Sequence, residues 1–348
     1  MDEYIELLRS LISVKSFSRT EKDAANLMRQ FLSRAGIPYE TKAHNTWARN
    51  LHWKEGLPVI VLDSHIDTVK PSGGYTRDPF SADVEDGVLY GLGSNDAGGP
   101  LVTLLAVFIH FYSQENLPYN LIYVASAEEE ISGPEGLVSI LDELGPFDLA
   151  IVGEPTQMQM AIAEKGLMVL DCMAHGKSGH AAREEGDNAI YKAIADIEKL
   201  KNYRFPKSSS ILGCVKLSVT MISAGTQHNV VPDACSFVVD VRTNEYYSNQ
   251  EAFKIIDQLI ESEVKPRSLR LNSSGIPVEH PIVQRGIQLG LDYYGSPTTS
   301  DQAVIPYPSI KIGPGDSARS HTADEYILIS EMEEGLRIYI DLLTGLKL

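Results

Sequence analysis

The sequence predicts an α/β fold: a mainly parallel sheet covered by helices, with a small α+β sandwich inserted into it. Two observations support this prediction. Short apolar runs within 58–65, 121–125 and 149–154 each end in polar residues, which is typical of strands buried on both faces. From about 166 to 274 the pattern changes to alternating apolar and polar residues, which is typical of half-exposed antiparallel strands.

The elements outside the inserted region follow from hydrophobic periodicity and from turn residues. Gly36 suits the C-terminal end of a helix, and Pro281 suits the first turn of another. The apolar stretch 101–111 is long enough for one helix that covers the sheet. In chain order we expect helices at 5–12, 21–35, 101–111, from 281 and from 330, and strands at 58–65, 121–125, 149–154 and 310–312.

The pattern divides the chain into two domains. Residues 1–165 and 275–348 are predicted to form a discontinuous main domain, and residues 166–274 an inserted one. Two amphipathic helices near 188–201 and 250–262 lie between the alternating segments of the insertion. The resulting order of strand, helix, strand, strand, helix and strand is that of a ferredoxin-like sandwich.

Composition limits the function classes. The 348 residues are 43% hydrophobic and 22% charged, as in ordinary globular proteins, and their net charge of −17 argues against nucleic acid or an anionic membrane as a partner. The three cysteines form no CxxC pair, which argues against disulfide scaffolding and a thiolate zinc site. The acids Asp2 and Glu3 stand where a signal peptide carries basic residues, and no segment approaches the roughly 18 apolar residues of a membrane span. We therefore expect a cytoplasmic protein.

Side chains of metal-ligand type follow the predicted strands or lie in loops. In largely parallel sheets, ligands gather beyond the carboxyl ends of the strands. Two histidines and three carboxylates suit a pair of divalent ions that share one carboxylate. The candidate ligands are His65, Asp96, Glu130, Glu154 and His321, with Asp96 as the shared carboxylate.

A spare acid next to a ligand indicates hydrolysis. Glu129 precedes Glu130 and is free to deprotonate water and later protonate a leaving amine. Strand alternation would point Asp67 the same way as His65, so its carboxylate can accept a hydrogen bond from the imidazole. Taken alone, the His-x-Asp motif is equally compatible with a surface or capping role, and the acidic run 128–130 with an exposed turn. Their combination makes hydrolysis the first hypothesis.

Two further motifs allow more than one interpretation. The glycine-rich segment 91–99 could cradle phosphate before a helix, but it lacks a Lys–Ser/Thr ending and GxGxxG spacing, and Asp96 within it could be a helix cap. His180, flanked by small residues in 178–182, suits an oxyanion or substrate contact better than metal ligation. An ordinary exposed histidine is the alternative.

In this order along the chain, the segments resemble the dinuclear-zinc M20 metallopeptidase and deacylase family. The resemblance covers nearly the whole chain, and the stretch 313–325 is similar to the acetylornithine or acetylcitrulline deacetylase branch. It implies two zinc ions, with cobalt or manganese as alternatives. It also implies one metal site formed by His65, Asp96 and Glu154, and a second formed by Asp96, Glu130 and His321.

The resemblance assigns further roles. It implies that Glu129 is the general acid/base and that Asp67 orients the metal-binding imidazole. His180 matches a histidine that, in dimeric relatives, reaches the partner's active site to stabilise the oxyanion. Asn229 and Arg242 match polar positions that contact substrate. The inserted domain would then be both a lid and the surface of a homodimer.

Some positions depart from the family pattern. Glu128 stands where many members have Asp, and Leu92 replaces a common arginine. The loop after Asp96 lacks the lysine that is common there. The proposed ligands and the base are all present, which indicates an active enzyme, whereas the loop changes weaken any transfer of substrate preference.

The resemblance implies a metal-dependent amidohydrolase that removes the acyl group of N-acetyl- or N-succinyl-ornithine or -citrulline in arginine biosynthesis. Deacylation of N-acyl-lysine or succinyl-diaminopimelate, or dipeptidase or carboxypeptidase activity, are alternatives within the same chemistry. From other classes, a protein that binds amino-acid derivatives without turnover is opposed by the complete ligand set and the spare Glu129. A phosphate-binding enzyme is opposed by the missing lysine.

Overall fold

The computed structural model describes residues 1–348, and these divide into two units. Unit 1 contains the beginning and the end of the chain, and unit 2 contains most of the intervening part. Unit 1 comprises Met1–Ile162, Gly275–Tyr294 and Ser300–Leu348, and unit 2 comprises Ala163–Ser274 and Gly295–Thr299.

The chain contains eight α-helices and eighteen β-strands. The α-helices are α1 Asp2–Ile12, α2 Lys22–Arg34, α3 Gly99–Tyr112, α4 Leu141–Leu144, α5 Ala189–Asn202, α6 Asn249–Leu259, α7 Pro281–Gln288 and α8 Ile329–Leu343. The strands are β1 Glu40–Lys42, β2 Asn45–Arg49, β3 Val59–His65, β4 Val84–Glu85, β5 Val88–Tyr90, β6 Asn120–Ser126, β7 Leu149–Val152, β8 Met160–Glu164, β9 Gly166–His175, β10 Gly179–His180, β11 Lys216–Ala224, β12 Val230–Val231, β13 Ala234–Thr243, β14 Glu263–Pro266, β15 Ser274–Gly275, β16 Tyr293–Ser296, β17 Ser309–Lys311 and β18 Tyr326–Leu328.

A nine-stranded sheet organises unit 1 in the order β1-β2-β6-β3-β7-β17-β8-β15, with β16 paired to β8. Its central strands β6, β3, β7 and β17 are parallel, and β1 and β2 add antiparallel pairs at one edge. The central strands are buried almost throughout, as expected for parallel strands with covered faces. The prediction of a mainly parallel central sheet is confirmed.

Helix α3 covers one face of this sheet and fits the apolar run expected there. It packs against β3 and β6 and also against α1 and α8. Nearly every side chain from its first residue to Phe108 is buried. Burial contributes about 1.5–3 kcal/mol for each large apolar side chain, so this helix anchors the residues just before it. An apolar cluster that includes Trp47, Val61, Ile122 and Ile140 also packs on strands of this sheet.

Unit 2 contains a four-stranded antiparallel sheet in the order β11-β13-β9-β14, against which α5 and α6 pack. Alternate residues of β9 and β13 are buried, as the alternating sequence predicts. Strand β11 differs because it lies at the edge of the sheet and is exposed along most of its length. No helix combines the length and the apolar character needed to cross a bilayer.

Candidate active site

Three neighbouring strands of unit 1 deliver most of the candidate site. His65 is the last residue of β3, while Glu129 and Glu130 follow β6 and Glu154 follows β7. Because β6, β3 and β7 are adjacent and parallel, their carboxyl ends meet at one edge of the sheet. The sequence prediction of where these side chains gather therefore agrees with the sheet topology.

Asp96 reaches the same edge from a tight turn before α3. The turn spans Ser94–Gly98, and its peptide bond between Asp96 and Ala97 is cis. Gly93 precedes the turn with φ of +75°, in the left-handed region that favours glycine. A Cβ on Gly98 would lie 2.4 Å from the carbonyl oxygen of Gly93, so only glycine fits there. The glycines of this loop thus serve a close turn that presents a carboxylate.

His321 comes from the loop that follows β17. It comes after the 3-10 turn Ser317–Arg319 and has φ of +60°. Its Nε2 atom lies 3.0 Å from Oε2 of Glu130 and 3.5 Å from Oδ2 of Asp96. The side chain is 54% exposed, whereas that of Glu130 is 7% exposed. His321 therefore forms the open side of the cluster.

His65 forms the buried side. Its Nε2 atom lies 3.3 Å from Oδ1 of Asp96, 3.7 Å from Oε1 of Glu154 and 3.8 Å from Oε2 of Glu129. Ligand atoms of His65, Asp96 and Glu130 all lie within 4.8 Å of one another, and so do those of His65, Glu129 and Glu154. Each group could hold a metal ion. Glu129, predicted as a free acid, is thus as near to His65 as a ligand would be.

Histidines and carboxylates shift one another's pKa in this cluster. Burial alone would lower the pKa of His65, but hydrogen bonds to Asp67 and Asp96 and nearby acids raise it well above its usual value. Burial would raise the pKa of Asp96, yet His65 and His321 hold it below its usual value. The hydrogen bond to Glu130 is the main reason that the pKa of His321 is raised to about 9.

Two carboxyl groups of the cluster have raised pKa values, so their charged forms are disfavoured. Burial, followed by the charge of Asp96, raises the pKa of Glu154 to about 8. Burial is also the main reason that the pKa of Glu129 lies well above its usual value, with Glu154 and Asp301 adding to the effect. Several acids thus crowd into a largely buried space that holds only two histidines. Divalent cations would relieve this repulsion, so the donor set fits a pair of metal ions.

Asp67 contacts more than the imidazole. Nδ1 of His65 lies 2.9 Å from the backbone oxygen of Asp67 and 3.5 Å from its carboxylate, so the backbone carbonyl is the closer acceptor. The carboxylate accepts hydrogen bonds from the backbone N–H groups of Glu129 and Glu130 and from the hydroxyl of Ser18. Asp67 therefore contacts the turn that carries the acids as well as the histidine.

The remaining predicted residues lie in unit 2. His180 is exposed in β10, which pairs with β12, and its Nδ1 accepts the backbone N–H of Ala182. The carbonyl of Asn229 accepts the N–H of Ala181, so His180 and Asn229 are neighbours. Arg242 lies on β13, in the other sheet of this unit, and its guanidinium pairs with both carboxylate oxygens of Asp240.

Sequence reasoning missed several residues that contact the cluster. Ser18 and Glu325 hydrogen-bond to its loops, and buried Lys311 opposes the rise in the pKa of Glu154. Buried Asp301 accepts the hydroxyl of Ser126 at the end of β6. A buried lysine in a strand was a visible signal, since Lys is rarely buried without a partner. Ser18 and Asp301 carry no comparable signal.

Comparison with known proteins gives a consistent family. The profile of Peptidase family M20/M25/M40 matches residues 61–345. The chain is 26% identical over 365 residues to succinyl-diaminopimelate desuccinylase of Wolbachia pipientis subsp. Culex pipiens (strain wPip), covering 96% of this chain and 91% of that protein. It is 27% identical over 357 residues to the LysW-lysine/LysW-ornithine hydrolase of Sulfurisphaera tokodaii, covering 99% and 95%.

Solved structures share the fold. An M20 family metallo-carboxypeptidase from Sulfolobus solfataricus superposes with a TM-score of 0.78 at 16% identity, covering 99% of both chains. A dinuclear metal-binding M20 peptidase from Bacillus subtilis gives a TM-score of 0.76 at 17% identity, covering 99% of this chain and 97% of that one.

Proposed function

The chain belongs to peptidase family M20/M25/M40 and is a metal-dependent deacylase or peptidase, and we propose that it hydrolyses the amide between an acyl group and an amino group of a diamino acid. One observation carries this proposal. The acids Asp96, Glu129, Glu130 and Glu154 surround His65, with Asp96 and Glu130 also contacting His321. This cluster supplies ligands for two cations together with an acid that can move a proton.

We assign the ligands as the sequence predicts. His65, Asp96 and Glu154 would hold one ion, and Asp96, Glu130 and His321 the other, with zinc proposed and cobalt or manganese as alternatives. The contacts of Asp96 with both imidazoles support its role as the shared carboxylate. When bound, the two ions would polarise the amide carbonyl and make water more acidic.

Glu129 is the proposed general acid/base. It takes a proton from water, whose oxygen forms a bond to the acyl carbon, and it delivers that proton to the amine nitrogen as the C–N bond breaks. Burial raises the pKa of Glu129 well above its usual value, and a proton shuttle has to hold the proton between the two halves of this transfer. The carboxylate of Asp67 accepts a hydrogen bond from the backbone N–H of Glu129. This bond fixes the start of the turn that carries the Glu129 side chain.

Residues of unit 2 complete the proposal. We propose that His180 donates a hydrogen bond to the oxyanion and that Asn229 and Arg242 contact the substrate. We also propose that residues 1–165 and 275–348 act as the catalytic domain and 166–274 as a ferredoxin-like lid and dimerisation domain. The observed order of β9, α5, β11, β13, α6 and β14 supports the ferredoxin-like part.

A homodimer through unit 2 is supported by an apolar edge. Strand β11 lies at the end of its sheet and exposes Met221 and Ile222, which are 64% and 55% accessible. Helix α5 packs against β11 and exposes Tyr191 and Ile194. An exposed edge strand offers unpaired backbone groups to another strand, and a second copy of this chain would cover both features.

The substrate assignment changes in the light of the relatives. The resemblance of the stretch 313–325 predicts N-acyl-ornithine or -citrulline as substrate and a place in arginine biosynthesis. The similar proteins include succinyl-diaminopimelate desuccinylases and LysW-lysine/LysW-ornithine hydrolases, which favour the alternative of an N-acyl-lysine or succinyl-diaminopimelate substrate. Diaminopimelate, lysine and ornithine are all diamino acids, so an N-acyl diamino acid is the shared chemistry. Lysine or diaminopimelate metabolism is accordingly better supported than arginine metabolism.

A substrate panel tests this proposal. We would measure kcat/KM for amine release from N-succinyl-diaminopimelate and from the N-acetyl and N-succinyl forms of lysine, ornithine and citrulline, with an unmodified dipeptide for comparison. The proposal predicts that an acylated diamino acid is the best substrate. A preference for acyl-citrulline would restore the arginine hypothesis, and a preference for the dipeptide would make the protein a peptidase.

A further inference from the structure

Glu325 lies outside the proposed ligand set, yet it contacts the turn that carries Asp96. Its side chain is 2% exposed. One carboxylate oxygen accepts the backbone N–H groups of Asn95 and Asp96 at 3.0 and 2.9 Å, and the other accepts that of Gly93 at 3.0 Å. Three N–H groups that converge on one buried carboxylate form a backbone nest for an anion.

The strand pairing explains why Glu325 occupies this place. Strand β18 pairs with β5 so that Tyr326 lies opposite Tyr90. Glu325 therefore continues the pairing opposite Gly91, whose N–H donates to its carbonyl oxygen at 2.9 Å. The residues that follow Gly91 surround the carboxylate of Glu325 and form the turn before α3. Both the backbone and the side chain of Glu325 thus hold this turn.

The segment that carries His321 also forms hydrogen bonds to this turn. Oδ1 of Asn95 accepts the N–H of Asp316, and Nδ2 of Asn95 donates to the carbonyl oxygen of Asp316, both at 3.0 Å. Glu325 and Asp316 lie on either side of His321 in the sequence. The hydrogen bonds of residues 316–325 thereby fix the positions of Asp96 and His321. Oδ2 of Asp96 lies 3.5 Å from Nε2 of His321.

From these contacts we propose that Glu325 is a positioning residue that holds Asp96 in the orientation needed to serve both metal ions. The inference rests on the proposed two-metal function. Contacts of this kind are worth about 10–100-fold in metal affinity where they have been removed from metal sites. Since Asp96 is shared, loss of Glu325 weakens the binding of both ions, whereas loss of a ligand to one site weakens mainly that site.

The experiment measures metal binding to chelated protein, with zinc by calorimetric titration and with cobalt by its visible absorption. Glu325→Gln keeps the size of the side chain but replaces one acceptor oxygen with an NH₂ group, which cannot accept a backbone N–H. We expect both binding steps to weaken by about 10–100-fold and the cobalt spectrum to change. Binding constants and a spectrum like those of the wild type would overturn the inference.

Asp196→Asn is the matched control. Asp196 in unit 2 is also buried and also accepts backbone N–H groups, those of Glu261 and Ser262. This variant should lose stability without a change in metal affinity, because no proposed ligand lies in the segment that it holds. An equal loss of metal affinity in Asp196→Asn would mean that general destabilisation explains the effect, and would overturn the positioning role.

Two further readouts separate the possible failures. If Glu325→Gln does not fold, Glu325→Asp repeats the test, since its shorter carboxylate keeps the charge but cannot reach the three N–H groups together. Wild-type affinity in that variant would count against the inference. If the wild-type protein itself binds fewer than two ions, the proposed two-metal function fails, and the inference that rests on it fails for that separate reason.

Discussion

The carboxylate of Asp67 accepts the backbone N–H of Glu129 at 3.0 Å. Its second oxygen accepts the N–H of Glu130 at 3.2 Å and the hydroxyl of Ser18 at 2.7 Å. Burial would raise the pKa of Asp67, but His65, followed by the hydrogen bonds from Ser18 and Glu129, holds it below its usual value. One carboxylate thus links the loop after β3 to the turn after β6, and it aligns a proposed base with a proposed ligand.

Asp67→Asn should damage catalysis and metal binding together. An amide has one acceptor oxygen, so its NH₂ group would face an N–H donor of Glu129 or Glu130. We expect a fall of about 10–100-fold in kcat/KM and in metal affinity. Asp148→Asn is the control, because Asp148 accepts the N–H of Val59 at the opposite end of β3. The interpretation fails if Asp148→Asn is as impaired as Asp67→Asn.

Glu129→Gln should separate catalysis from metal content. Gln cannot carry the proton from water to the amine, and general acid/base catalysis contributes about 10²–10⁴-fold. We expect kcat to fall by at least that factor while two ions per chain remain bound. Glu135→Gln removes an exposed acid a few residues away and should leave kcat unchanged. Turnover of Glu129→Gln at the wild-type rate would exclude Glu129 as the base.

The chelated protein should lose stability as the pH rises from about 6 to 9. Glu154 has its pKa raised from 4.5 to about 8, so the unfolded chain releases this proton at lower pH than the folded chain does. His321 has its pKa raised from 6.5 to about 9, and the stability this provides below pH 6.5 is lost as the pH rises through 9. Both groups therefore favour the folded state at the acidic end of this range.

Thermal unfolding midpoints at several pH values check this trend. Added metal should raise the midpoint more at pH 8 than at pH 6, because metal ligands must lose their protons. Glu154→Gln cannot ionise at this position and should show a shallower decline. A midpoint for the chelated wild-type protein that is constant or rises across this range would contradict the assignment.

Charges on the edge of unit 2 should abolish the proposed dimer. Met221→Lys combined with Ile222→Lys places repelling charges on the exposed part of β11. We expect the wild type to sediment as a dimer and this variant as a monomer. Leu51→Lys alters an exposed leucine of unit 1 and should remain dimeric. A monomeric wild type, or a variant that stays dimeric, would rule out this interface.

The sequence predicts which candidate ligands lie at the strand ends, since these residues stand next to features with a strong local pattern. His65, Glu129, Glu130 and Glu154 each follow an apolar run, and the parallel sheet then brings them to one edge. Asp96 can also be predicted from the sequence, because its glycine-rich turn precedes an apolar helix.

Contacts between residues far apart in the chain cannot be predicted from sequence patterns. Glu325 and Asp96 are separated by 229 residues, and their contact depends on the pairing of β18 with β5. The preference of His65 Nδ1 for the backbone carbonyl of Asp67 depends on how the chain turns after β3. The exposure of β11 follows from its edge position, which alternation of apolar and polar residues cannot reveal.

The most direct test of the two-metal hydrolase is recovery of activity during metal reloading. Chelated protein would be titrated with zinc while amine release from N-succinyl-diaminopimelate and N-succinyl-ornithine is followed. We expect no release without metal and full recovery when two ions per chain are bound. Undiminished hydrolysis by metal-free protein, or a reloaded protein that releases amine from neither compound nor from any other acylated amino acid, would contradict it.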